Sequence, residues 1–220
     1  MKKGIINLVI LLFGISTISC TSILSTIYGM SNNVVQLNKE EIIHFAEKFN
    51  IKSDNLYELD STYYDFLISI NKNSNNSDIV HNHEQPFQAM YFDKNGKLIS
   101  YFIGCYANMG FPNINWNANK EFEKFPPNQQ SGLSPDTLFN YFKINEFFEK
   151  ISKNENLNEQ LIDYYFVVFW ITSGGRQSKR FLDIVQKNLK LTDVNVKSLF
   201  VNVDNYYIYE YKKNLAIQKK

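Results

Sequence analysis

Cys105 and Cys20 are the only thiols in this 220-residue chain, and they sit in very different surroundings. Cys20 closes an apolar N-terminal run, whereas Cys105 follows Gly104 at the end of a strand-like stretch. A thiol attacks only as the thiolate, so Cys105 reads either as a single reactive thiol with a basic neighbour or as a buried structural cysteine. His81-Asn82-His83-Glu84 gathers two imidazoles and a carboxylate. A metal would need further ligands, none of which is marked by spacing, so the stretch reads as a solvated loop. Thr172-Ser173-Gly174-Gly175-Arg176-Gln177 is a turn that opens a helix. Free N–H groups at a helix start attract anions, paired glycines admit a ligand closely, and Arg176 adds a cation with bidentate geometry. Thr172 and Ser173 supply hydroxyls or a cap. The competing reading is a plain glycine turn. Tyr206, Tyr207, Tyr209 and Tyr211 form an aromatic cluster after the last apolar run. Alternation puts the last three on one strand face, either half-buried or open to a partner. No Ser-His-Asp spacing, phosphate-binding Gly-Lys motif or zinc-protease helix motif occurs, and no metal or other cofactor is implied.

The elements that must position these groups follow from periodicity. Asn38 is an N-cap with Glu40 and Glu41 in the first turn, and Ile42, Phe45, Ala46 and Phe49 give one apolar helix face. A second helix begins at Ser61, with Tyr63, Phe66, Leu67 and Ile70 on one side. Residues 71–84 are polar and read as a loop. Phe87–Phe92 and Leu98–Ile103 are strands joined through Asp93-Lys94-Asn95-Gly96, where Asn-Gly supplies the positive φ angles of a tight hairpin. Residues 104–132 are irregular but hold Tyr106, Phe111, Trp116, Phe122 and Phe125, so they pack back on the domain. Ser134-Pro135-Asp136 starts a further helix, with Ser134 as cap and Pro135 in its first position. Tyr165–Ile171 is continuously apolar, as a strand buried on both faces must be. Ser178–Leu189 is an amphipathic helix, and Val196–Val203 is a second buried strand. Strand, helix, strand implies a parallel pair.

At the N-terminus, Lys2 and Lys3 precede an apolar run from Ile5 to Ile18 that ends in Ser19-Cys20. The run falls short of the roughly 20 apolar residues a spanning helix needs, and it reads as a secretory signal peptide. A small residue followed by cysteine resembles a bacterial lipoprotein lipobox, with Thr17 standing where that motif has an aliphatic residue. The resemblance implies cleavage before Cys20 and lipid on its thiol. Losing Lys2 and Lys3 from the 23 basic residues leaves 21 against 22 acidic ones. That balance gives no basic surplus for phosphates, so no nucleic-acid partner is expected. With Cys20 lipidated, Cys105 is the only free thiol, and no internal disulfide can form.

Phe166-Val167-Val168-Phe169-Trp170-Ile171-Thr172-Ser173-Gly174-Gly175-Arg176-Gln177, the following helix, and Ser198-Leu199-Phe200-Val201-Asn202-Val203-Asp204 resemble the βαβ unit of thioredoxin-like proteins. The match spans about a fifth of the chain. In that family the turn carries Cys-x-x-Cys, and here Gly174-Gly175-Arg176-Gln177 stands in its place. Dithiol exchange needs an attacking and a resolving thiol, so ordinary oxidoreductase chemistry is not supported. Gln85-Pro86-Phe87 through Gly104 resembles the family's cis-proline and hairpin, with Pro86 as the proline. That stretch precedes the βαβ unit here and follows it in the family, so the order is permuted or the hairpin is unrelated.

These readings give a signal peptide over 1–19, a tether over 20–36 and one α/β domain over 37–220. With 44% hydrophobic and 15% aromatic residues the chain can bury a core without disulfides. The expected architecture is a thioredoxin-like three-layer sandwich, a mixed sheet flanked by helices, with an added or permuted N-terminal helix-hairpin part. The expected protein is held to a bacterial membrane by lipid on Cys20. It faces the periplasm or the exterior, and its role is binding or scaffolding, with another envelope protein as candidate partner. Two alternatives stand: a thiol-dependent reductase using Cys105, and a carrier of a small molecule or peptide.

Overall fold

Strand β5 (Tyr164–Trp170) is the apolar run, and it lies in the interior of a six-stranded mixed sheet. The computed structural model of the protein describes residues 35–72, 76–104, 117, 119–127, 136–152 and 161–218. Cys20, Cys105, Ser134 and Pro135 fall outside them, as do Tyr106, Phe111 and Trp116. The other strands are β1 (Leu56–Leu59), β2 (Gln88–Asp93), β3 (Leu98–Ile103), β4 (Phe148–Lys150) and β6 (Val196–Asn202). Their order is β3-β2-β5-β6-β1-β4. The helices are α1 (Lys39–Lys48), α2 (Thr62–Asn71), α3 (Ser77–His83), α4 (Tyr141–Ile144), α5 (Arg176–Leu189) and α6 (Asp204–Gln218).

β5 and β6 are parallel with α5 between them, in the register Phe169 opposite Val201. β1 adds in parallel to the far side of β6, Leu56 opposite Phe200. The hairpin β2–β3 joins the same sheet: β2 runs antiparallel to β5, with Gln88 opposite Phe169. β4 closes the other edge against β1. Side chains of β5 alternate between two helical layers. Trp170 meets Phe49 at the end of α1, 5.7 Å between ring centroids, and Gln186 of α5 donates to the Phe49 carbonyl at 2.8 Å. On the opposite face Phe169 meets Tyr63 of α2 at 6.0 Å, and Tyr63 meets Tyr206 of α6 at 5.7 Å. The result is helix, sheet, helix, as a sheet buried on both faces requires.

α1 starts as its sequence dictates. Asn38 and Glu41 form a reciprocal capping box, and Ile42 and Ala46 are buried. Gly96 carries φ +77° in the β2–β3 turn, while Asn95 does not enter the left-handed region. Asp93 Oδ1 instead accepts from the Asn95 and Lys97 N–H groups at 2.9 Å each. The loop is therefore an Asp-braced turn with a single positive φ rather than the expected tight one.

Several expectations are corrected. Residues 77–83 form α3 within the stretch read as loop, because Val80 and His83 bury one side. No helix runs through Asp136–Phe139. Asp136 Oδ1 accepts from the Leu138 and Phe139 N–H groups at 2.8 and 2.9 Å, which satisfies those donors locally. Asn140 caps the short α4 instead, and the chain passes into β4 at Phe148. The tyrosine cluster is helix α6 rather than a strand. Tyr206 is buried, Tyr207 and Tyr209 are half-buried and Tyr211 is exposed, a helical order and not an alternating one. The cis peptide bond among the described residues is Phe125–Pro126, so the bond before Pro86 is trans. From residues 104–132, Phe122 and Phe125 do pack on the domain: Phe122 on Phe102 at 4.7 Å and Phe125 on Tyr91 at 5.7 Å.

Candidate functional site

β5, β6 and β1 are parallel, so their carboxyl ends share one edge, and ligands of open sheets gather at such edges. Three segments converge there: the turn after β5, the start of α6 after β6, and Asp60-Ser61 after β1.

Asp204, the first residue of α6, organises the turn. Its Oδ2 accepts from the Thr172 N–H at 2.8 Å and from Asn202 Nδ2 at 2.7 Å, and its Oδ1 accepts from the Thr172 hydroxyl at 2.9 Å. Burial pushes the Asp204 carboxyl above the ordinary carboxylate value, and the hydrogen bonds from Thr172, Asn202 and the Ser173 backbone pull against it. Gly174 is buried, and a Cβ there would stand 2.5 Å from Phe87 Cζ and closer still to Ser178 Oγ. The Ser178 hydroxyl donates to the Ile171 carbonyl. Gly175 adopts φ +52°, ψ −116° as it caps α5, a conformation closed to side-chain-bearing residues. Gln177 is buried. The hydroxyl of Thr172 and the bare face of Gly174 are thus taken up inside the fold. Toward solvent the turn presents Arg176, exposed, and Ser173, half-buried.

Beside the turn lies a small cleft of about 210 Å³, lined by Gln36, Glu58, Asp60, Ser61, Glu149 and Asn205 among others. Glu58 and Glu149 face each other across the β1–β4 ladder. Glu58 accepts from Asn205 Nδ2 at 2.6 Å, and Asp60 accepts from the Thr62 N–H at 2.7 Å and from the Thr62 hydroxyl. Those bonds to Thr62 hold the Asp60 carboxyl below its ordinary value. Among the described residues no group of three or more His, Cys, Asp or Glu side chains is placed to hold a metal.

His81 and His83 separate. His81 is exposed and His83 is 1% exposed, stacked between Tyr101 and Phe139. His83 Nε2 lies 2.9 Å from Asp136 Oδ2, while Nδ1 has no hydrogen-bond partner. A carboxylate opposite Nε2 and no partner at Nδ1 favour the neutral ring with its proton on Nε2. Burial accordingly depresses the imidazole's proton affinity, more than the Asp136 and Gln88 contacts restore it. Gln88, fully buried in β2, donates to the His83 carbonyl at 2.9 Å and the Gln85 carbonyl at 2.7 Å. The cluster fixes α3 onto the hairpin.

At the end of α3, Glu84 faces α6. Tyr207 donates its hydroxyl to the Glu84 carbonyl, and burial raises the Glu84 carboxyl despite His81. Glu210 of α6 is pushed up to about 7 by burial and then by the Glu84 charge. A folded-state value above the unfolded one of 4.5 means that Glu210 adds most stability below 4.5 and loses it as pH rises through about 7. His83 works the other way, with full stability above its unfolded value of about 6.5 and loss as pH falls below it. Glu210→Gln isolates the first effect. In urea unfolding, the variant should gain stability over the parent at about pH 8 and match it at about pH 4. A constant difference across that range would show that Glu210 does not titrate there.

Cys20 and Cys105 lie outside the described residues. Sequence reasoning missed Asp204, Phe87 and Ser178 as the groups that shape the turn, although Asp204 ends the Val-Asn-Val-Asp stretch and Ser178 opens the helix read there. It also missed Glu58, Asp60 and Glu149, which only the β1–β4 pairing brings together. Comparison with protein-family models, curated proteins and solved structures finds no match to the chain.

Proposed function

We propose that the protein is a lipid-anchored component of the bacterial envelope whose domain is a permuted, redox-inactive thioredoxin-like fold with a binding or scaffolding role. The observation that carries the fold reading is the place of the hairpin. β2 lies antiparallel beside β5 and β3 beyond it, so β3-β2-β5-β6 has the hairpin flanking the βαβ unit although it comes earlier in the chain. Phe87, next to Pro86, packs on Gly174, so the segment bearing the resemblance's proline abuts the segment bearing its turn. β1, β4 and α1–α3 are then additions ahead of and around that core.

The inactive reading rests on chemistry. Gly174 to Gln177 offer no thiol, and the carboxylate, hydroxyls and rings around them are engaged with one another. Such a turn can hold a shape, and an exposed Arg176 can meet a partner, but neither can exchange a disulfide. The anchoring reading rests on Lys2-Lys3, the apolar run and Ser19-Cys20. Among the described residues no helix is long and apolar enough to cross a membrane.

Cys20→Ser tests the anchor. Acyl labelling should be lost and the protein should leave the membrane fraction. Unchanged membrane retention, with no acyl incorporated in the parent either, would remove the lipoprotein reading. Insulin reduction by the purified parent at a thioredoxin-like rate would remove the inactive one.

A further inference from the structure

The outward face of α5 is a ridge of positive charge. At 3.6 residues per turn, Lys179, Lys190, Arg176, Lys187 and Arg180 fall within about 100° of arc along a helix about 21 Å long. All five are exposed, and only Asp183 stands among them. None of the five makes an ion pair with another described residue. The flanks differ from the ridge. Glu47 and Lys48 of α1 lie on one side, and the Glu121–Glu123 turn, with Lys120 and Lys124, lies on the other, so both signs are present.

Lys187 and Lys190 suit the C-terminal end of the helix, but the other three charges of the ridge work against it. α5 has no acid in its first turn, and Arg176, Lys179 and Arg180 crowd the positive end of the helix dipole, where cations are unfavourable. A helix that needed only solubility would place these charges at the other end. The arrangement fits an external anionic partner.

We propose that this face of α5 docks on the anionic phospholipid headgroups of the membrane that holds the protein, an inference that rests on the lipid-anchored reading for its choice of partner. Charge complementarity supplies the attraction, at about 1 kcal/mol for each Lys or Arg brought to such a surface. The chain's route supplies the proximity. Asn205 holds the Leu37 N–H and carbonyl, each at 2.8 Å, so the chain enters the domain beside the start of α6 and passes at once into α1, whose far end meets α5 where Gln186 donates to the Phe49 carbonyl. The 14 residues from Thr21 to Val34 reach at most about 50 Å, enough to bring the α5 face to the surface and to keep the domain within that distance of it.

The test uses the chain without residues 1–19 and with Cys20→Ser, which keeps every described element and removes the lipid. It should co-sediment with vesicles of phosphatidylglycerol and phosphatidylcholine, weaken with added salt, and ignore vesicles of phosphatidylcholine alone. Adding Lys179→Glu, Arg180→Glu and Lys187→Glu should lower partitioning at least about hundredfold, three contacts at the stated strength. The same triple variant should melt no lower than its parent, because two of the changes favour the helix dipole. Equal binding to both vesicle types, no binding to either, or partitioning unchanged by charge reversal would overturn the proposal. Retention on an acidic polypeptide but not on the anionic vesicles would overturn it in favour of a protein partner. If acyl labelling of Cys20 fails while the unlipidated chain still binds anionic vesicles, the anchor reading falls and the docking face stands.

Discussion

Phe169→Ala should cost the domain about 3–5 kcal/mol, the usual range for truncating a buried aromatic ring. Phe169 is 2% exposed and sits near the end of β5, opposite Gln88 on one side and Val201 on the other. Its ring meets Tyr63 at 6.0 Å and Phe148 at 5.9 Å, so it packs α2 onto the sheet and links β5 to the edge strand β4. The cavity left by alanine cannot close easily. β5 is hydrogen-bonded along both edges, and Tyr63 is held in turn by Tyr206 and Phe147. Chemical denaturation of parent and variant measures the loss. A value below about 1 kcal/mol would mean that β5 does not pack as described.

Gly174→Ala should cost about 1–3 kcal/mol or more, the range for forcing a methyl group into a filled interior. The new Cβ would enter the Phe87 ring and the Ser178 hydroxyl, both of which are anchored. Phe87 lies at the foot of β2 and packs on Phe181 of α5 at 5.7 Å, and Ser178 holds the Ile171 carbonyl. Relief would have to part the hairpin from α5. Thermal melts decide between two accounts of this glycine. A stability loss means that it exists for the close approach of Phe87. An unchanged melt would mean that the space is open and the residue is available to a ligand.

What was legible in the sequence was what is decided locally. β5, α5 and β6 declare themselves through an uninterrupted apolar run, a strong 3.6-residue period and a second run, each bounded by turn residues. α1 carries its own start signal in Asn38 and Glu41. β1 and β4 were not legible, because strands of four and three residues are too short to show a period and exist through their partners. α6 misled for a different reason. Tyr207, Tyr209 and Tyr211 satisfy alternation, and the helix spreads polar and aromatic residues all round, leaving little helical contrast. Long-range contacts settle its form: Tyr206 must reach Tyr63, and Tyr64 must reach both Tyr209 and Asn214. The turn was read by residue type, and the residues are indeed adjacent in space. Its wiring was hidden, since Thr172 and Asp204 stand 32 residues apart.

The order of strands also fixes when the protein can fold during synthesis. β1 leaves the ribosome early, yet its parallel partner β6 is the last strand made. β2 can pair with β3 at once but must wait for β5, and the clasp between Leu37 and Asn205 spans 168 residues. A sheet closed by such distant pairings forms slowly, because the loops must be gathered before any contact rewards them. An unfinished chain therefore holds a hairpin and some helices but no closed sheet, and its final shape is deferred until the C-terminal residues have arrived.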